Sequence, residues 1–187
     1  MNRKFPIIHR KLLAFAAFFF IIGISTGVFL VVLIEDAEKE TALHYLNNYL
    51  LPQGAYKDFL PRVFLCSVAN NFLLLLVMAL SGFFSYGLIL ALGAFCYKGL
   101  VLGFSATLIL EFMSGKGVLL LLFTVIPQNV LFLAALAFGV AISVDLKKSP
   151  RISSASYWTS YGILSIVILV GCLLEAVLHL ILTPLIV

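Results

Sequence analysis

The sequence has 187 residues, of which 63% are hydrophobic and only 11% are charged, and its mean hydropathy is +1.18. A soluble domain is about half apolar, so this composition excludes one and predicts a single polytopic membrane domain over residues 1–187. The formal net charge of +4 comes from basic residues that flank the apolar runs, which indicates membrane orientation and not nucleic-acid binding.

The first apolar run covers residues 12–34 and carries no charge. At about 1.5 Å per residue, a helix of this length crosses a hydrocarbon core of about 30 Å. Basic residues at positions 3, 4, 10 and 11 precede the run, which places the N-terminus in the cytoplasm by the positive-inside rule. The run is too long for the apolar part of a signal peptide, and no small-residue cleavage pattern follows it. We therefore expect it to remain as the first span.

A polar segment over residues 35–62 follows and is expected outside the membrane. Within it Leu43, Leu46 and Leu50 recur at helical spacing, and a proline and a glycine end the pattern. The segment therefore predicts a short amphipathic helix on the extracytoplasmic surface. Two roles are open for its apolar face: it covers the bundle or lies in the membrane interface, or it docks a partner.

The second span is predicted over residues 64–80, and the basic cluster in "VDLKKSPR" marks the loop 144–157 as cytoplasmic. If residues 118–143 form a span that ends at this loop, the chain between residues 82 and 117 crosses the membrane an odd number of times, and we expect one crossing. The final run, residues 161–186, then crosses outward. The prediction is an all-α integral membrane protein with about five transmembrane helices and an extracytoplasmic C-terminus.

The third region, residues 83–110, does not fit a simple span. It has 28 residues, about 42 Å as a straight helix, which is too long for one crossing and barely enough for two. Lys98 lies at its middle, with Gly99 and Gly103 beside it. We expect a tilted or broken helix that is partly re-entrant, with the glycines letting neighbouring backbones approach closely.

A second irregularity lies in the apolar run 118–138, which carries Pro127, Gln128 and Asn129 at its middle. Unpaired polar groups in lipid cost several kcal/mol each, on the order of 2–7, so something inside the protein must satisfy them. The prediction is that the proline frees a carbonyl one turn earlier. Gln128 and Asn129 are then expected to hydrogen-bond across to irregular backbone at residues 98–103.

Charged groups at bilayer depth mark either a functional pathway or a structural pair. Glu175 and His179 are four residues apart, so they share a helix face, and a structural pair is the interpretation we favour. Lys98 either snorkels or pairs with a carboxylate, for which Glu111 and Glu175 are both candidates.

No catalytic or metal motif accompanies these residues in the sequence. The three histidines are far apart, and the three cysteines lie in apolar segments without CxxC spacing. The HExxH, GxSxG and P-loop patterns are all missing. The sequence predicts no enzyme, no metal site and no cofactor.

Three stretches of the sequence carry a resemblance to a known family. They are "KGLVLGFSATLI" at 98–109, the glycine turn "SGKG" at 114–117 with "LLLFTVIPQNVLFLAA" at 120–135, and the ending "YWTSYGILSIVILVGCLLEAVLHLILTP". Together with the basic N-terminus and the outer loop, they resemble the stage II sporulation protein M family over nearly the whole chain. The proline followed by two polar residues is the most specific part.

The resemblance implies a scaffold in the bacterial cell membrane of endospore-forming bacteria during engulfment of the forespore. Such a scaffold gathers two membrane-anchored peptidoglycan hydrolases, stage II sporulation proteins D and P, that remodel the cell wall outside. The predicted docking surface on this chain is the outer helix, through Leu43, Leu46 and Leu50.

A small transporter or channel is the alternative function, since intramembrane charges and a proline at mid-depth are what transporters use to build a site. The chain shows no clear internal repeat, and five spans do not divide into equal inverted halves. A transporter of this length is therefore expected to be a homo-oligomer.

Overall fold

A computed structural model of the chain describes residues 10–50, 56–148 and 154–186. Over these residues it is helical and contains no strand. The elements are α1 (Arg10–Leu33), α2 (Asp36–Leu50), α3 (Tyr56–Ser81), α4 (Gly87–Leu120), a short π-helix (Leu121–Val125), α5 (Ile126–Lys148) and α6 (Ser154–Ile186).

Five helical segments are long and apolar enough to cross a membrane, which confirms the predicted all-α, five-span fold. They are Lys11–Leu33, Pro61–Ser81, Gly87–Met113, Gly115–Leu146 and Ser154–Ile181. Large apolar side chains cover the outside of this bundle, and Phe29 and Ile89 are 66% and 68% exposed. Exposed apolar surface on this scale is typical of a lipid-facing exterior.

Helix α1 packs chiefly against α4, and glycines make the contact possible. Gly23 lies beside Leu100, and Gly27, one turn later, lies beside Phe104. Both positions advance along the chain together, so the two helices are parallel, as the first and third spans of an alternating bundle must be. A side chain at Gly23 would overlap the backbone carbonyl of Cys96, and only glycine permits so close an approach.

Helix α6 runs antiparallel to α3, as the fifth and second spans should. Ser67 of α3 bonds Glu175 late in α6, whereas Ala79, late in α3, accepts a bond from Tyr157 early in α6. The second, third, fourth and fifth spans share one apolar core. Its centre includes fully buried Met78, Phe132, Leu136, Ile168 and Cys172.

The break expected near Lys98 is not present. Helix α4 is continuous from Gly87 through the third span, so this region is neither broken nor re-entrant. Gly99 and Gly103 do not break the helix. They face α1, where an added methyl group at Gly103 would lie 2.9 Å from the Cα of Ile24. Among the described residues, irregular helical backbone occurs in the π-helix of the fourth span instead.

Helix α4 continues past the third span, but its axis reverses on the way. An added Cβ at Gly117 would lie 2.6 Å from the carbonyl oxygen of Ile109. Eight residues of straight helix would separate these positions by about 12 Å, so the chain turns back between them. The reversal falls where the sequence predicts a glycine turn, and it separates the third span, ending at Met113, from the fourth, beginning at Gly115.

The basic residues predict which side of the membrane each loop occupies. In a variant without the native cysteines, a single cysteine replacing Lys57 is expected to react with a membrane-impermeant maleimide in intact cells. A cysteine replacing Lys148 is expected to react only after permeabilisation, because positive charge is retained in the cytoplasm. Labelling of position 148 in intact cells would contradict the cytoplasmic loop and, with it, the extracytoplasmic C-terminus.

Candidate functional site

A chain of hydrogen bonds connects a partly buried cation to a buried carboxylate across three helices. Lys98 Nζ of α4 donates to Asn71 Oδ1 of α3 at 2.8 Å. Asn71 Nδ2 donates to the Ser67 hydroxyl oxygen at 3.3 Å and also to the Ser67 carbonyl oxygen at 2.9 Å, and the Ser67 hydroxyl donates to Glu175 Oε2 of α6. The ammonium and carboxylate groups are therefore linked through one amide and one hydroxyl.

These groups are deep inside the bundle. Ser67 is 3% exposed, Asn71 4% and Glu175 7%. The Lys98 ammonium also lies 4.8 Å from the centre of the Phe132 ring, within cation–π range. A charge at this depth is costly unless it is paired or hydrogen-bonded, and the connected chain meets that requirement.

The structure decides between the partners considered for Lys98. Glu111 lies at the end of the bundle near α2, where it pairs with Lys39 at 3.4 Å. Glu175 is the carboxylate that Lys98 reaches, through Asn71 and Ser67. Because Lys98 Nζ is held at mid-span by Asn71, it does not snorkel to an interface.

A cavity of about 200 Å³ surrounds this chain. Its lining brings together polar residues from all of the last four spans, including Asn71, Lys98, Gln128, Asn129, Glu175 and His179. Glu175 and His179 share one face of α6, as predicted, and both are buried, with His179 only 1% exposed. Five of the predicted site residues thus converge on one place, although they are far apart in the chain.

The bonds predicted for the "IPQN" segment differ from those in the structure. Asn129 Nδ2 donates to the carbonyl oxygen of Val125, one turn earlier in its own helix, at 2.7 Å, and not across to residues 98–103. The physical reason is that α4 is regular there, so its carbonyls are already used, whereas the π-helix before Pro127 leaves acceptors close at hand. Gln128 Oε1 is buried without a hydrogen-bond partner among the described residues.

Comparison with known proteins gives one decisive result. The family model described as Stage II sporulation protein M matches residues 16–178. The chain belongs to this family. The match covers all five spans almost completely, so the predicted resemblance is confirmed. Searches of curated proteins and of solved structures gave no significant match. As a member of the family with five apolar helices, the chain is a multi-pass, sporulation-related membrane protein.

In helix α2, one of the leucines proposed for docking faces the bundle. Leu43 is 9% exposed, so it covers the protein's own surface and is not available to a partner. Side-chain positions of Leu46 and Leu50 lie outside the described residues. The Lys39–Glu111 pair connects α2 to the end of the third span, and the face that remains exposed carries Tyr45, 72% exposed.

Two polar features of this family member were missed in the sequence. Ser67, which completes the link to Glu175, is a single hydroxyl in an apolar run and gives no pattern. Near the opposite end of the bundle, the hydroxyl groups of Ser143 and Tyr161 are 2.7 Å apart, and Tyr161 also donates to the carbonyl of Gly139. The sequence did carry a signal for this hydroxyl cluster. The two tyrosines of "YWTSY" are four residues apart, so they share a helix face.

The described residues offer no place for a metal ion. Nowhere in 10–50, 56–148 and 154–186 do three or more His, Cys, Asp or Glu side chains converge. The site consists of one cation, one carboxylate, one histidine, amides and hydroxyls, a set suited to binding polar groups in a low-dielectric surrounding.

Proposed function

We propose that this protein is a non-enzymatic membrane scaffold that recruits or positions peptidoglycan hydrolases during forespore engulfment. The observation that carries the proposal is the family match over residues 16–178. The expected partners are membrane-anchored hydrolases resembling stage II sporulation proteins D and P. A scaffold of this kind needs a membrane bundle and a fixed surface on the side where its partners act.

Helix α2 supplies a surface of the right kind. Burial of Leu43 and the ion pair from Lys39 to Glu111 hold the helix against the bundle. The exposed side then presents Glu38, Thr41 and Tyr45, which line a shallow open groove. Tyrosine is enriched at the centres of protein interfaces because it offers a large contact area at low entropic cost. Because Leu43 is buried, we place the docking face on this exposed side of α2.

The test is co-purification of the hydrolases with a variant that alters this face. We expect Glu38→Lys combined with Tyr45→Ser to reduce hydrolase recovery about tenfold, since loss of one important interface side chain costs more than about 1.4 kcal/mol. Both side chains are exposed, so expression and insertion should not change. Native-level hydrolase recovery with this variant would remove α2 from the proposal.

Tyr86→Ser is the matched control for this experiment. Tyr86 is 80% exposed and directly precedes α4, on the other side of the membrane from α2. Its replacement removes an exposed aromatic ring of the same kind, and full recovery of the hydrolases is expected. Equal losses in both variants would indicate a general defect and not a docking surface.

The polar cavity favours a second candidate function, a small membrane transporter or channel. Opposite charges in a cavity at mid-depth are typical of transport sites. The two functions predict that different residues are sensitive to mutation. If Lys98→Met abolishes function in a folded protein while hydrolases are still recovered, and if proteoliposomes move a solute, the transporter would replace the scaffold.

A further inference from the structure

The cavity presents opposite charges within one partly open space. Lys98 and Glu175 both line it, and Asn71 and Ser67 lie between them in the hydrogen-bond chain. An ammonium has three donors, and Asn71 accepts only one of them. The cavity therefore offers a positive group and a negative group to the same occupant.

A third group in the cavity requires a hydrogen-bond donor. Gln128 is 4% exposed, and its Oε1 atom has no hydrogen-bond partner among the described residues. Buried side-chain oxygens are nearly always bonded, so an unpaired one on a residue that lines a cavity calls for an explanation. An occupant with an N–H or O–H group near Gln128 would supply the missing donor.

The volume and the balance of charges limit what this occupant is. About 200 Å³ is many times the roughly 10–15 Å³ that one water needs, but less than the about 300–1,000 Å³ of sites for drug-sized ligands. Lys98 and Glu175 already balance each other's charge. A ligand with a net charge would leave the occupied site unbalanced in a low-dielectric surrounding, which is costly.

We propose that the cavity is a binding site for a small zwitterion of the amino-acid class. The ligand's carboxylate lies at Lys98, and its ammonium group donates to Gln128 Oε1 and lies toward Glu175. The site is separate from the docking face on α2. It does not depend on hydrolase recruitment, because binding is measured on the protein alone.

The test uses the purified full chain in lipid nanodiscs with glycine as the probe. Thermal unfolding is followed while the glycine concentration is raised, and saturating glycine is expected to raise the midpoint by about 5 °C or more. Acetate or methylammonium, each carrying only half of the zwitterion, should give little shift. Glycine betaine, a zwitterion without an N–H donor, should also give little, and it controls for non-specific stabilisation by solutes.

Variants on α5 separate binding from a structural role. Gln128→Met is expected to raise the midpoint of the protein without glycine, because it removes an unpaired buried oxygen, and to reduce glycine affinity at least about tenfold. Thr124→Val is the matched control. Thr124 Oγ1 is also buried without a partner among the described residues but is not part of the cavity lining, so this change should leave the glycine shift intact.

Three results would overturn the proposal. They are no saturable shift of the wild-type protein with glycine, equal shifts with acetate or methylammonium, and a full glycine shift retained by Gln128→Met. Lys98→Met should lose the glycine shift as well. Because that variant also breaks the hydrogen-bond chain and can lose its fold, the Gln128 variant carries the decision.

Discussion

Gly99→Ala should weaken the bundle by about 2–3 kcal/mol, although alanine is normally a better helix former than glycine. The added methyl group would overlap the backbone carbonyl of Phe20 and lie 3.0 Å from the backbone nitrogen of Ile24. Neither neighbour is a flexible side chain, so α1 must move away from α4. Thermal unfolding in detergent, with cross-linking between α1 and α4 as the structural readout, measures the effect.

Gly93→Ala is the matched control on the same helix. No atom lies within 4 Å of a Cβ built at Gly93, so the substitution should be neutral or stabilising by up to about 1 kcal/mol. The two variants differ only in what the same methyl group meets. If Gly99→Ala were as stable as Gly93→Ala, the close parallel contact between α1 and α4 would be wrong.

Lys98→Met and Glu175→Gln are each expected to destabilise the protein by about 3–5 kcal/mol, the largest effects of any single side-chain charge in the bundle. Each change leaves the opposite charge buried without its counterpart. In the double variant both charges are gone, so we expect the combined loss to be smaller than the sum of the single losses by about 1–3 kcal/mol. Unfolding of all four proteins under one set of conditions measures this coupling.

Lys116→Met provides the control for the loss of a lysine charge. Lys116 is exposed near the reversal between the third and fourth spans, and because solvent screens the contacts of an exposed charge, its replacement should change stability by no more than about 1 kcal/mol. Strictly additive losses for Lys98→Met and Glu175→Gln would show that the hydrogen-bond chain does not couple the two charges.

Several features of the fold could be predicted from the sequence because they depend on short stretches of chain. A span is a local property, since about 20 apolar residues are enough to cross the membrane as a helix. The odd number of crossings between residues 82 and 117 followed from the two basic clusters and the apolar runs on either side. The close-packing role of Gly99 and Gly103 was also predictable, because small residues one turn apart form a groove on any helix.

The partner of Lys98 was decided only by the tertiary structure. Its first bond joins residues 27 positions apart, and the next link, from Ser67 to Glu175, joins residues 108 positions apart. Sequence spacing shows which residues share a helix face, but not which helices lie beside one another. Both Glu111 and Glu175 were therefore acceptable partners until the packing of α3, α4 and α6 brought one of them close.

The same distinction explains two of the expectations that the structure changed. The spacing of leucines correctly predicted the helix α2, but a pattern does not state which surface an apolar side chain covers, and Leu43 covers the protein's own bundle. Asn129 was correctly expected to need a partner, and it found Val125 O in its own helix. Local periodicity determines that such a group must be buried or bonded, whereas the choice among partners depends on helix packing, which contacts distant in the chain decide.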